Sequence, residues 1–127
     1  MADSNYRPKI LTVKTLEDAE RAIRTVGCGN DGVRLMAGKC LLDVMKLHGV
    51  RTAMANILKQ EMLSVGADAA VSCNTVNCKD PATDVVLMAT LKQYIKVMAK
   101  MKSQVSECRD IALAIEAALK SKHKRLA

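Results

Sequence analysis

The sequence predicts one α/β domain of the α+β kind, with a ferredoxin-like βαββαβ core and a C-terminal βαα extension. Two observations predict this class. The chain has 127 residues and half of them are apolar, which suits a single globular domain with its own core. Short β-rich runs also alternate with longer stretches of helical period, and no repeat or linker interrupts them. We expect one domain over 1–127, with flexible tails at 1–8 and 120–127.

The first predicted elements are a strand over 9–13 and a helix that begins after Thr15. The Thr15 hydroxyl can cap the first helical turn, because Asp18 stands three residues later as in a capping box. Gly27 is expected to end this helix in the left-handed conformation, which glycine adopts without strain.

The loop over 27–32 reads Gly-Cys-Gly-Asn-Asp-Gly and has the letters of the dinucleotide fingerprint G-x-G-x-x-G. That fingerprint requires a strand before the loop and a helix after it, so that helix N–H groups face the pyrophosphate. Here the loop follows a helix and is expected to open a strand. We therefore interpret it as a Gly-rich turn.

Residues 33–50 have an ambiguous apolar pattern. We interpret them as two strands, over 33–36 and 40–47, around a short turn. A helix over 39–48, rich in Met and Leu, is the alternative, because a short apolar run alone does not distinguish a strand from a helix.

The second half of the chain has a clearer period. Apolar side chains recur at helical spacing in three stretches, and β-rich runs separate the first two. In order, we expect a helix over 51–65 that ends at Gly66, a strand over 67–72, a polar loop over 73–83, a strand over 84–89, a helix over 90–102 and a last helix from about 106.

The chain is basic, with a net charge of +7 from 20 Lys and Arg against 13 Asp and Glu. Lys92, Lys96 and Lys100 form a ridge of like charge, in which each adjacent pair costs the helix roughly 0.2–0.5 kcal/mol. We interpret the ridge as a solvated face. Aromatic residues make up only 2% of the chain, and single-strand binders usually stack bases on aromatic rings. Nucleic-acid binding is therefore not the leading expectation.

Cysteine usage and hydropathy indicate a cytoplasmic protein. The number of cysteines is odd, at five, and no signal-like apolar segment follows Met1. No run approaches the ~18 apolar residues that cross a bilayer. Cys73 and Cys78 have neither zinc-knuckle nor thioredoxin spacing, so we expect reduced thiols and no metal.

The sequence offers no catalytic constellation. A nucleophile needs a base within hydrogen-bond reach, and the only imidazoles are His48 and His123. We place His48 at a solvated turn and His123 in the tail. The chain is therefore expected to be non-catalytic, with no cofactor.

One helix has an unusual polar side. In the 51–65 helix, Asn56, Lys59, Gln60 and Ser64 lie together, with Glu61 at the edge. Most of these side chains are neutral hydrogen-bonding groups, whereas exposed helices usually carry Lys and Glu. This side fits a ligand or partner contact, and we expect Gln60→Ala to cost ~1–3 kcal/mol by leaving a polar partner unpaired.

Residues 55–71 read ANILKQEMLSVGADAAV. This segment resembles the motif ANILKQEMLSxGG(D/E)AAV in the N-terminal extension of a long form of dihydropteroate synthase, the folate-pathway enzyme. The resemblance covers about 15–118, and flanking pieces agree in order: Gly32 to Met36 followed by Lys39, then Thr83 to Thr90 and Lys92 to Tyr94.

The departures from the family pattern limit what the resemblance implies. Ala67 stands where the family has its second Gly, and Gln104-Val105-Ser106-Glu107 replaces a Gln-Pro-Phe-Gly segment. A pterin-binding barrel of ~250 residues does not fit into this chain. The resemblance therefore implies the accessory domain alone, detached or encoded separately, without synthase activity.

Three hypotheses follow. The leading one is an accessory domain that associates with a pterin-binding barrel enzyme, or with itself, through the 51–65 helix and the strand after it. The second is a domain that binds an anionic pterin, folate or nucleotide, and the third is a basic nucleic-acid module. The expected ligand- or partner-binding residues are Lys39, Asn56, Lys59, Gln60, Glu61 and Ser64.

Overall fold

The computed structural model describes residues 6–75, 77 and 79–126. Helices and an antiparallel sheet occupy separate layers, so the predicted α+β class is confirmed. In chain order the elements are α1 (Leu16–Arg24), α2 (Asn30–Ala37), β1 (Leu42–Arg51), α3 (Thr52–Ser64), β2 (Asp68–Ala70), β3 (Ala82–Thr90), α4 (Leu91–Lys102) and α5 (Ser106–Lys122), followed by a short 3₁₀-helix, Lys124–Leu126.

The three strands form one sheet in the order β1-β3-β2. Both β1 and β2 pair with β3 in the antiparallel direction. Because β1 and β2 therefore run parallel to each other, α3 is the crossover between them and β3 inserts into the gap that they leave.

The ferredoxin-like βαββαβ order is not formed in the described residues, because two predicted strands are missing. Residues 9–13 have no regular structure, and 33–36 lie within α2. Val33 and Ala37 are the buried residues of α2, four positions apart, which is helical spacing. The predicted strand over 40–47 is confirmed as part of β1, so the alternative of a helix over 39–48 is wrong.

The Gly-rich loop joins two helices. Gly27 follows α1 with φ +84°, as expected for a left-handed helix stop. The expectation that the loop opens a strand is wrong, because Gly29 is the N-cap of α2. The loop still does not match a dinucleotide site, because a helix and not a strand precedes it. The predicted capping box of α1 is confirmed by reciprocal bonds between Thr15 and Asp18.

The core lies between one face of the sheet and helices α3, α4 and α5. Strand alternation turns Val85, Leu87 and Ala89 of β3 towards it, and all three are buried. The largest buried side chains that the helices contribute are Leu58, Met62, Leu91, Tyr94, Met101, Ile115 and Leu119.

A β-bulge interrupts β1 near its end. The register shifts between Leu47 and Val50, so that β1 has one more residue than β3 across this step. Gly49 supplies the left-handed conformation at the bulge, with φ +63°. The extra residue returns Val50 to the buried face of the sheet.

Candidate functional site

The polar side of α3 makes contacts within the domain. Lys59 Nζ lies 3.0 Å from Asp68 Oδ1 and donates to the Ala69 carbonyl at 2.7 Å, which holds β2 against the helix. Asn56 Nδ2 donates to the Thr75 carbonyl at 3.4 Å. These two side chains therefore tie α3 to the strand and the loop that follow it.

The same side of α3 also contacts α4. Lys100 Nζ donates to Ser64 Oγ at 2.6 Å and lies 3.3 Å from Glu61 Oε2. On the same lysine ridge, Lys92 Nζ donates to the Leu35 carbonyl at 2.9 Å. Two of the three ridge lysines therefore stabilise helix packing.

Gln60 and Lys39 are not part of this network. Gln60 is exposed on α3, and its side chain makes no hydrogen bond within the ranges described. The expectation that it lies in a partly buried position is therefore wrong, while its contact with a ligand or partner stays a prediction. Lys39 is exposed in the turn after α2, and no side-chain hydrogen bond joins it to the α3 residues in the described structure.

The face of the sheet opposite the helices carries exposed apolar side chains in the described residues. We call it the outer sheet face. Leu42 and Val44 of β1 are each 66% exposed, and Val86 and Met88 of β3 are partly exposed beside them. Val44 pairs directly with Met88, which pairs in turn with Asp68 of β2. The remaining members are Lys46, His48, Ala70 and Asp84.

One end of the outer sheet face is charged. Asp84 Oδ2 lies 3.9 Å from Lys46 Nζ and 3.7 Å from His48 Nδ1, while Asp84 Oδ1 accepts the Gly49 N–H at 3.0 Å. This backbone hydrogen bond and the neighbouring charges lower the pKa of Asp84. The bulge therefore fixes an anionic group at the rim of an apolar patch.

A buried polar cluster lies on the other face of the sheet. Asp43 of β1 bonds to His123 Nε2 through Oδ2 at 2.8 Å, and to Lys122 Nζ through Oδ1. The Tyr94 hydroxyl donates to the backbone carbonyl of Asp43 at 2.7 Å. The cluster therefore joins β1, α4 and the end of α5.

Burial acts on both acids of this cluster. Burial alone would raise the pKa of Asp43. The hydrogen bonds and charges of Lys122 and His123 outweigh this effect, so the pKa of Asp43 is lowered. Burial, together with the charge of Asp43, raises the pKa of Tyr94. At neutral pH the arrangement is therefore a carboxylate that holds an imidazole in one orientation.

The predicted place of His123, in a flexible tail over 120–127, is wrong. The structure places Lys120–Lys122 in α5 and buries His123 directly after it. One signal was available. It was misleading, because Asp43 stands between Leu42 and Val44, and strand alternation in the sequence would turn the two apolar side chains inward and the carboxylate outward, the reverse of what the structure shows.

The described residues contain no candidate metal site. Within 6–75, 77 and 79–126, no three His, Cys, Asp or Glu side chains are grouped closely enough to bind an ion. Cys73 is exposed, and Cys78 lies outside the described residues. No helix in the described part of the chain is long and apolar enough to cross a membrane.

Two curated proteins are similar to this chain. One is the "Probable bifunctional folylpolyglutamate synthase/dihydropteroate synthase" of Halobacterium salinarum, 36% identical over 93 residues, which are 72% of this chain and 11% of that protein. The other is the "Bifunctional dihydropteroate synthase/dihydropteroate reductase" of Helicobacter pylori, 28% identical over 102 residues, which are 80% of this chain and 27% of that protein.

The chain resembles a part of dihydropteroate synthase proteins. The resemblance seen in residues 55–71 is thereby confirmed, and with it a relation to folate enzymes. The chain spans about a tenth of the first relative and about a quarter of the second. No protein-family model and no solved structure matches it.

Proposed function

We propose that this chain is a non-catalytic accessory domain that binds a pterin-dependent enzyme of the dihydropteroate synthase kind. One observation carries the proposal. Each similar protein bears the name of a dihydropteroate synthase and has most of its length outside the matched region. A domain that acts together with the rest of such an enzyme needs a surface that binds the enzyme.

The outer sheet face supplies that surface. An antiparallel sheet with one solvated face usually alternates apolar residues inside with polar residues outside. Here Leu42 and Val44 are largely exposed at outward positions, and Met88 beside them is partly exposed. Contiguous exposed apolar residues rimmed by charge are typical of protein interfaces.

The proposed interface is therefore the outer sheet face, and not the polar side of α3 that the sequence suggested. The side chains of Asn56, Lys59 and Ser64 make hydrogen bonds inside the domain, which reduces what they offer to a partner. Asp68 of β2 belongs to the outer sheet face, which supports including the strand after α3 in the proposed interface. Self-association through the same face is the competing outcome.

Co-purification tests the proposal. The tagged chain is expressed in its native host at a natural level, and bound proteins are identified; a tagged pterin-dependent synthase of the same host is used in the reverse direction. We expect each protein to recover the other. A tagged chain that recovers only further copies of itself would favour self-association and contradict the proposal.

A second candidate function is pterin or folate binding. The Helicobacter pylori relative is named for a dihydropteroate reductase as well as a synthase, and the matched region is 27% of it. A thermal-shift series with dihydropteroate, folate and nucleotides tests this, since a ligand at 100 times its Kd adds ~2.7 kcal/mol. A chain that no pterin stabilises would exclude this candidate and leave the first one standing.

A further inference from the structure

The outer edge of β1 carries unpaired backbone groups. β1 is an edge strand of ten residues and pairs only with β3 in the described structure. The Leu41 carbonyl accepts the Leu91 N–H at 2.9 Å in the same register, and the residues of an antiparallel pair bond alternately. Odd-numbered residues before the bulge therefore bond to β3. The backbone groups of Leu42, Val44 and Lys46 point to the edge, where no described residue pairs with them.

A groove runs beside this edge, on the helix side of the sheet. A cavity of about 480 Å³ lies between residues 46–51 and the first half of α5. Leu47 and Ile111 line it and pack partly against the core, so its floor is apolar. On its rim, Asp110 is exposed and makes no ion pair within the described ranges, whereas Glu107 is paired. An open strand edge beside such a groove is the arrangement to which an extended peptide adds as a further strand.

Residues 9–13 form an extended segment without a strand partner. They read Lys-Ile-Leu-Thr-Val, a composition that favours strands. In the described structure their backbone groups make no hydrogen bond, and Ile10 is 98% exposed and Leu11 54%. Residues 9–12 lie beside α1, where they share a cavity with Asp18 and Thr25. The backbone and the apolar side chains of this segment are therefore available to another strand.

Charge and side-chain alternation indicate how the segment fits the edge. Lys9, Leu11 and Val13 share one face of an extended strand. α5 runs antiparallel to β1, because its start lines the groove at the end of β1 and the residue after it bonds to the start of β1. A segment that adds antiparallel to β1 therefore brings Lys9 to Asp110 and turns Leu11 and Val13 along the apolar floor. The basic side chains of the groove already have acidic neighbours: Arg51 has Glu107, and Lys46 and His48 have Asp84.

We propose that two copies of this chain exchange their N-terminal segments, so that residues 9–13 of each copy add as an antiparallel strand to the β1 edge of the other. The segment of a second copy is favoured over the chain's own, because the N–H groups of Lys14 and Thr15 bond to Asp18 at 3.0 and 3.3 Å and hold the segment beside α1. The exchange is two-fold symmetric, so that neither copy keeps an open β1 edge. It leaves the outer sheet face free for an enzyme.

Sedimentation velocity of the whole chain over a concentration series tests the exchange. We expect a monomer–dimer equilibrium that Thr12→Pro abolishes. In the proposed pairing Thr12 shares the face of Val44, so its N–H donates to β1, and proline has no N–H to donate. Thr12→Val keeps the N–H and favours strands, and it should dimerise at least as well as the wild type.

Two results would overturn the proposal. One is a chain that stays monomeric at every concentration. The other is a dimer that Thr12→Pro leaves intact, which would point to the outer sheet face as the contact between copies. Residues 9–13 have no regular structure in the single chain, so Thr12→Pro leaves its fold unchanged, and circular dichroism checks this.

A charge exchange tests the predicted contact between Lys9 and Asp110. Lys9→Glu and Asp110→Lys are each expected to weaken dimerisation about fivefold, as for one partly screened ion pair. The double variant restores opposite charges and is expected to dimerise like the wild type. Lys96→Glu reverses an exposed charge on α4 and should have no effect. Losses that add up in the double variant would contradict the contact.

NMR on a mixture of two differently isotope-labelled preparations distinguishes exchange from docking of the segment on its own chain. We expect nuclear Overhauser contacts between residues 9–13 of one preparation and β1 of the other. The same contacts found only within one preparation would overturn the exchange. All of these measurements use this chain alone, so their outcome is separate from that of binding to a synthase.

Discussion

At the residue scale, Asp43 shows how one side chain links distant parts of the chain. It lies on β1, yet both of its carboxylate oxygens bond to the residues at the end of α5, 79 and 80 positions later. This pairing was not predicted from the sequence, because a run of Lys and Arg made the end of the chain look like a solvated tail. The position of Asp43 gave no cue either, because it stands between two apolar residues that would be expected to face the core in its place.

Asp43→Asn should therefore destabilise the domain in a pH-dependent way. Removing a carboxylate that bonds to both Lys122 and His123 costs about 1.5–3 kcal/mol. The pKa of Asp43 is lowered in the folded state, so its contribution is complete above the unfolded pKa of about 3.9 and is lost as pH falls through the folded pKa.

Urea melts of wild type and Asp43→Asn at a series of pH values measure this contribution. The difference in unfolding free energy should be constant near neutral pH and should shrink below about pH 4. A difference that grew as the pH fell would mean that the cluster stabilises the protonated carboxyl, contrary to the geometry.

Two neighbouring residues of α3 test which of its polar side chains stabilise the domain. Lys59 donates to the Ala69 carbonyl in a partly buried bond, so Lys59→Ala should cost about 1 kcal/mol. Gln60→Ala should change stability by less than about 0.5 kcal/mol, because the side chain is exposed and Ala is the better helix former. Paired urea melts compare them. If Gln60→Ala cost as much as Lys59→Ala, the assignment of the network would be wrong.

At the element scale, α1 and the helices and strands after residue 40 were predictable, whereas the strands expected over 9–13 and 33–36 are not formed. Amphipathic spacing located α3, α4 and α5, and α4 begins directly after its capping residue Thr90, within one residue of the predicted start. The prediction of a strand over 33–36 failed because a short apolar run also suits a strand. The burial of Val33 and Ala37, which favours the helix, is a tertiary effect. The bulge in β1 has no signal except Gly49.

Gly49 gives a prediction at this scale. Its φ is +63° and no atom lies within 4 Å of the place that a Cβ would occupy, so conformation alone sets the cost of a side chain. Gly49→Ala should lose about 1–2 kcal/mol. Gly49→Asn should lose less, because Asn adopts the left-handed region more readily. Thermal melts of the two variants compare them, and equal losses would mean that the bulge tolerates a different conformation.

At the scale of the whole molecule, one sheet face is buried and the other is left apolar. The α+β class and most of the core were predictable from the sequence, but the sheet order was not, because it depends on pairing between residues far apart in the chain. The interaction site was expected on α3 because unpaired amides stand out in the sequence. Tertiary contacts with β2 and α4 use most of those groups, whereas the apolar strand positions become visible as a surface only after the sheet has formed.

The affinity between the whole chain and a pterin-dependent synthase of its host tests the central claim most directly. Titration calorimetry compares wild type with Val44→Glu, which places a charge in the centre of the outer sheet face, and with Val26→Glu, which changes an equally apolar residue, 83% exposed, in the loop after α1. Circular dichroism checks that both variants fold. We predict that Val44→Glu weakens binding at least about tenfold, as expected for a desolvated interface position, and that Val26→Glu binds like the wild type. Wild-type affinity of the folded Val44→Glu chain would contradict the claim that the outer sheet face is the docking surface.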